Sequence, residues 1–216
     1  LSSILIVLPF KLVFDALPTD TQSCTCTNIT AWLKEISYTY HIKLHQGNQY
    51  EGFAEIEFQL KHNNSSTLLD YSGKEVVMLL INGDPLPMFS MMAVDSHFRN
   101  SICGGENHVI VRYRSNYDTD GNGCVSFIDQ SGKQYLYTQF PPYYCHRVFP
   151  VFDQPDLKAR MKLNVIAPSH WSVISNESSL YAAPFDVAEY LMNTSKLASD
   201  IIGEYLQGCE GYNMHF

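Results

Sequence analysis

Metal-peptidase chemistry commonly draws on two histidines four residues apart on a helix, with a glutamate beside the first acting as base toward metal-bound water. His41 and His45 are the pair at that interval, but Ile42 holds the glutamate's place. The surrounding residues alternate apolar and polar, and on a strand that interval does not bring two imidazoles onto one ligand. The pair therefore reads as two solvent-facing histidines.

The segment Asp118 to Asp129 (DTDGNGCVSFID) has acidic or amide side chains at positions one, three and five and Gly123 at position six, the spacing of a calcium-binding helix-loop-helix. Position twelve is Asp129 rather than the bidentate glutamate, and the flanks have strand rather than helix periodicity. An Asp/Gly turn between strands is the better account. His146 has no identifiable acid or nucleophile partner and reads as a packing or hydrogen-bonding residue. With neither a G-x-S-x-G turn nor a phosphate-cradling G-x-x-x-x-G-K-[ST] loop, the chain offers no catalytic residue and no metal ligand set of its own.

The elements behind these residues are strands. Ile36, Tyr38, Tyr40, Ile42 and Leu44 alternate with polar residues, and after a turn at Gln46, Gly47 and Asn48 the pattern resumes with Ala54, Ile56, Phe58 and Leu60. The two read as an antiparallel pair. Further strands are expected at Glu75 to Ile81, His108 to Tyr113, Tyr135 to Phe140, Ala159 to Val165 and Trp171 to Ile174. Turn signals at Asn82-Gly83-Asp84-Pro85 and Asp120-Gly121-Asn122-Gly123 separate some of them.

Short strands without intervening helices imply a mainly β fold, an antiparallel saddle-shaped sheet or sandwich. The expected organisation is an apolar N-terminal tail over 1–31, a β domain over 32–176, and an insertion or tail over 177–216. From Phe185 to Leu206 the spacing of Val187, Leu191, Leu197, Ile201 and Tyr205 predicts one or two amphipathic helices, making the C-terminal segment partly helical.

At 216 residues and 45% hydrophobic content the chain can bury one substantial core. Its formal charge of −8 repels nucleic-acid phosphates, which argues against such a partner. The apolar start, Leu1 to Phe14, contains Pro9 and Lys11 and is too short to span a bilayer as a helix, although it suits the remainder of a secretory signal. Asn-x-Ser/Thr sites begin at Asn28, Asn63, Asn64, Asn176 and Asn193, the pattern of a glycoprotein. The six cysteines include no C-x-x-C pair. Localisation leans secreted or membrane-associated and extracytoplasmic, with a cytoplasmic protein as the alternative and membrane association left open.

The most specific stretch is Tyr135 to Ala167, YLYTQFPPYYCHRVFPVFDQPDLKARMKLNVIA. In its TQF segment and in HRVFPVFDQPDLKA it resembles the aminopeptidase N family of zinc exopeptidases. The likeness runs back through YTYHIKL, YEGFAEIEF and NHVIVRYRSNYDTDGNGCVSFID and forward to APSHWSVISN, covering roughly residues 32 to 176. It implies an N-terminal saddle-shaped β domain that packs over a zinc catalytic domain, C-terminal to this segment, and helps close its active site on a peptide substrate.

In that family the Thr-Gln segment reaches the substrate's free amino terminus, so the resemblance implies substrate binding by Gln139; by itself this residue would read as a loop amide. Pro141 stands where the family usually carries an acidic residue. Arg147, Asp153 and Pro155 belong to the structural motif, Arg147 being able to fork to a carboxylate such as Asp153 and Pro155 stiffening the turn that leads into the next strand. G-x-M-E-N and H-E-x-x-H do not occur in the chain, so zinc is expected in the catalytic domain and none in this segment. The expectation is the N-terminal domain of a zinc aminopeptidase, inactive alone; the alternative is a non-catalytic peptide-binding or interaction module derived from one.

Overall fold

The computed structural model describes residues 4–7, 33–61, 67–85, 97–100, 104–140, 142–154, 156–175, 181–184 and 212–215. Statements about what is present or absent below refer to these.

Fourteen strands form three sheets. In chain order they are β1 (Ile4–Val7), β2 (Leu33–Leu44), β3 (Gln49–Leu60), β4 (Thr67–Asp70), β5 (Glu75–Ile81), β6 (Asp84–Pro85), β7 (His97–Asn100), β8 (Gly105–Asn116), β9 (Gly123–Ile128), β10 (Gln134–Gln139), β11 (Ala159–Ala167), β12 (Ser172–Ile174), β13 (Tyr181–Pro184) and β14 (Tyr212–His215). The main sheet has eight strands in the order β13-β14-β11-β2-β3-β8-β5-β6, a second has four in the order β12-β1-β10-β9, and β4 pairs with β7.

The expected strands are present, and Glu75–Ile81 has the predicted bounds. The hairpin from β5 to β6 turns on Asn82 and Gly83, both at positive φ (53° and 91°), the handedness a two-residue turn needs to match strand twist.

Two expectations are corrected, and a third is not reached by the described residues. The sheets are mixed rather than purely antiparallel: β2 and β11 run parallel, as do β1 with β10 and with β12. The helices predicted over 185–206 lie outside the described residues, and the C-terminal pieces that are described, β13 and β14, are strands added beside β11. His41 is not solvent-facing. It is 2% exposed, with its ring edge-on to Phe53 at 5.7 Å.

The burial of His41 follows from the sheet's two faces. One carries Tyr38, Tyr40, Ile56, Val109, Val111, Leu163 and Val165, joined in a continuous core with Leu136, Phe149, Phe152 and Trp171. On the other, Phe53, Leu80, Ile110 and Ile166 are buried too, with His41 and Asn164 among them. Both faces are therefore covered near the centre, and a polar position in the alternation is buried as well.

The segment 145–153 crosses the first face as a strap. Its attachment is polar within an apolar core: the Tyr40 hydroxyl donates to the Pro150 carbonyl at 2.8 Å, and the Phe152 N–H donates to the Tyr38 hydroxyl at 3.1 Å. Asp70 and Val151 exchange backbone hydrogen bonds at 2.8 and 3.0 Å. Each satisfies a backbone group that burial would otherwise strand.

Candidate functional site

Gln139 is the last residue of β10, exposed, and none of the hydrogen bonds among the described residues uses its side chain. Its register partner is Gly123, the first residue of β9. Gly123 has φ +81°, and a Cβ there would run into the Asp118 carboxylate. Only glycine gives both the backbone conformation and the room.

The turn before β9 is built on Asp118. Its Oδ2 accepts the Cys124 N–H at 3.0 Å, its backbone N–H donates to the Cys124 carbonyl at 2.7 Å, and its carbonyl accepts the Ser126 N–H at 3.0 Å. Asp118 thus lines the outer edge of β9 while β10 lines the inner one. Next, Asp120 Oδ1 accepts the Asn122 N–H at 3.1 Å, the local bond that lets aspartate organise a tight turn. This is the stretch with calcium-loop spacing, and its second half is strand β9 rather than the close of a loop.

A guanidinium occupies the acidic side of this turn. Arg147 Nη1 straddles Asp120, 2.8 Å from Oδ2 and 3.0 Å from Oδ1, and approaches Asp118 Oδ1 at 3.5 Å. Arg147 thus engages a carboxylate as expected, but it is Asp120 and not Asp153. Asp153 instead bonds the neighbouring His146, accepting its backbone N–H at 3.1 Å and meeting its Nδ1 at 2.7 Å. The reason is local: Cys145–Arg147 form a 3-10 turn, which separates neighbouring side chains by about a third of a revolution. Asp153 is held in turn, its N–H donating to Asp70 Oδ2 at 3.2 Å. His146 is a hydrogen-bonding residue as expected, but it does have an acid partner, Asp153, which the sequence does not indicate; the Tyr143 ring lies 4.5 Å away. Pro155 and Pro141 lie outside the described residues.

Electrostatics follow the contacts. The hydrogen bond from Arg147 holds the Asp120 carboxyl below its ordinary range, and Asp120 raises Arg147 in return. Partial burial pushes Asp118 up, opposed by the Cys124 N–H and by Arg147. Cys124 and Cys145 are buried free thiols, and burial raises both, which keeps them protonated and unreactive at neutral pH.

Among the described residues, no three His, Cys, Asp or Glu side chains gather as a metal site. A polar cleft of about 330 Å³, lined by Glu35, Glu57, Glu106, Asn107 and His108 among others, lies by the start of β8, whereas Asp118 follows its end. Along a twelve-residue strand that is a separation of roughly 35 Å, so the cleft is not part of the Gln139 surroundings. The sequence singles out Gln139 by resemblance but not its neighbours Gly123 and Asp118, and it suggests a carboxylate for Arg147 without indicating Asp120. The signal available was the Asp-x-Asp-Gly-x-Gly run, whose charges needed a cation.

Comparison with known proteins places these features. Residues 34–189 match the family described as the Peptidase M1 N-terminal domain. An aminopeptidase N of Streptomyces lividans is 32% identical over 132 residues, 61% of this chain and 15% of that protein. A probable M1 family aminopeptidase 1 of Encephalitozoon cuniculi is 28% identical over 110 residues, 49% of this chain and 12% of that one. The chain thus spans about an eighth to a seventh of the length of these relatives. Among solved structures, a mutant of the M1 zinc metallopeptidase from Deinococcus radiodurans superposes with a TM-score of 0.55 at 13% identity, over 86% of this chain and 38% of that one. The same mutant bound to a Tyr-Ser-Ala substrate gives 0.53 at 14% identity, over 86% and 39% of the two chains. At these identities the likeness is one of fold.

Proposed function

The chain belongs to the Peptidase M1 N-terminal domain family, and from that premise we propose that it is the substrate-side β domain of a zinc aminopeptidase, which removes residues from peptide amino termini. The relatives similar to it are named aminopeptidases and zinc metallopeptidases. Among the described residues, no group of His, Cys, Asp or Glu side chains fits zinc. Metal and base are assigned to a catalytic domain C-terminal to this segment. The β domain's share is positioning the substrate and closing the site.

The observation that carries this reading is the placement of Gln139. It stands exposed at the end of β10, in register with Gly123 of β9, with its amide uncommitted among the described residues. A primary amide suits a peptide amino terminus, because its oxygen accepts from an α-ammonium while its two N–H donors meet nearby carbonyls. Gln139 binds and orients the substrate; it moves no proton.

The test is a Gln139→Ala variant of the complete enzyme, assayed with a panel of amino-acid 4-nitroanilides. The expected result is a rise in KM of about tenfold, the worth of one hydrogen bond to a charged group, with kcat changed less. Unchanged KM across the panel overturns the reading.

A further inference from the structure

Arg147 and Gln139 are the two ends of one nine-residue excursion, and both ends grip the same turn. At the start, Gln139 is in register with Gly123 and Thr138 with Cys124. At the finish, Arg147 lies on Asp120, which accepts the Asn122 N–H, and on Asp118, which accepts the Cys124 N–H and packs against Gly123. The span between is folded on itself: the Tyr144 N–H donates to the Phe140 carbonyl at 2.9 Å, and the Arg147 N–H to the Tyr144 carbonyl at 3.2 Å. The guanidinium carbon sits 5.1 Å from the Tyr144 ring centre, and the Tyr50 hydroxyl reaches the Arg147 carbonyl at 3.5 Å.

We propose that Arg147 is a positioning residue for Gln139, acting by clamping the Asp118–Asp120 turn so that Gly123 holds the end of β10 at a fixed place. The proposal rests on the reading of Gln139 as a substrate contact. The energetics point away from a role in stability alone. The Arg147 and Asp120 side chains are 30% and 52% exposed, and partly exposed ion pairs add little to folding. What the pair supplies is geometry. An amide binding an α-ammonium must be held to within a fraction of an ångström, and the exposed end of a strand is where a ladder frays first.

The test uses the complete enzyme and a double-mutant cycle. Asp120→Asn and Arg147→Lys are made singly and each in combination with Gln139→Ala, with KM, kcat and thermal midpoint measured for all. Both single changes retain polar side chains, and Asp120→Asn leaves Arg147 in place should Arg147→Lys fold poorly. The expected result is that each single variant raises KM by about three- to tenfold with kcat changed less, and that this increase disappears in the Gln139→Ala background. If the increase is retained in full in that background, or if the single variants leave KM unchanged while Gln139→Ala raises it, the clamp is overturned and the Gln139 reading stands. If Gln139→Ala alone leaves KM unchanged, the substrate reading falls and the clamp falls with it.

Discussion

His146 Nδ1 and Asp153 Oδ2 lie 2.7 Å apart, and the same oxygen accepts the His146 backbone N–H at 3.1 Å. One carboxylate oxygen thus fastens both ends of the strap that crosses the core. Because the two side chains are only 14% exposed, removing the acceptor strands two donors. Asp153→Ala is expected to lower the stability of the complete protein by about 2–3 kcal/mol, and Asp153→Asn by less, since an amide oxygen still accepts. Urea denaturation followed by fluorescence checks the order of the two.

The Tyr40 hydroxyl is a second fastening. Tyr40 is fully buried and its hydroxyl donates to Pro150 O, so Tyr40→Phe keeps the packing and leaves a buried carbonyl without its donor. The expected cost is about 1–3 kcal/mol. Amide exchange should quicken at Val151 and Phe152 more than in β3, because the strap is loosened while the sheet is untouched.

Glycine at 123 is required for two reasons where glycine at 47 is required for one. Both sit at positive φ, but a side chain at 47 meets open space and one at 123 meets Asp118. Gly47→Ala should cost about 1 kcal/mol of backbone strain and Gly123→Ala roughly 2–4 kcal/mol, strain and overpacking together. Thermal melts of the two variants side by side test the difference.

His45 and His108 should titrate on opposite sides of the ordinary histidine value. The Glu55 carboxylate, 3.6 Å from His108 Nε2, raises His108 above 6.5, so its contribution to stability is fully present below 6.5 and is lost as pH rises through the folded value. Burial lowers His45, with Lys43 adding to the effect. Its contribution is intact above 6.5 and declines as pH falls toward its folded value. Imidazole resonances followed by NMR check both, and Glu55→Gln should move His108 down while leaving His45 in place.

Strand positions were legible because side-chain alternation is a local signal: Tyr38, Tyr40 and Ile42 announce one face without any knowledge of what covers it. Pairing direction is not local. Nothing in Ala159–Ala167 says that its neighbour is β2 or that the two run parallel. The same distinction explains the site. Gln139 could be picked out by resemblance, whereas Arg147 was matched to the nearest carboxylate in sequence when its partner lies 27 residues away. Strand β9 was hidden because its Asp/Gly-rich lead-in imitates a cation loop. His41 was misjudged since alternation marks polar positions as exposed only where the second face meets water.

The parallel pairing of β2 with β11 also sets an order of events during synthesis. Tyr40 and Asn164, joined across that pair by a hydrogen bond from the Asn164 side-chain amide to the Tyr40 carbonyl, are 124 residues apart. Strand β2 can form its hairpin with β3 as soon as both leave the ribosome, but its other edge has no partner until β11 emerges. Through that interval the nascent chain presents an open row of backbone donors and acceptors flanked by tyrosines, the surface most prone to pairing with another chain. The native sheet ends that exposure late, through a loop closure that makes folding slow.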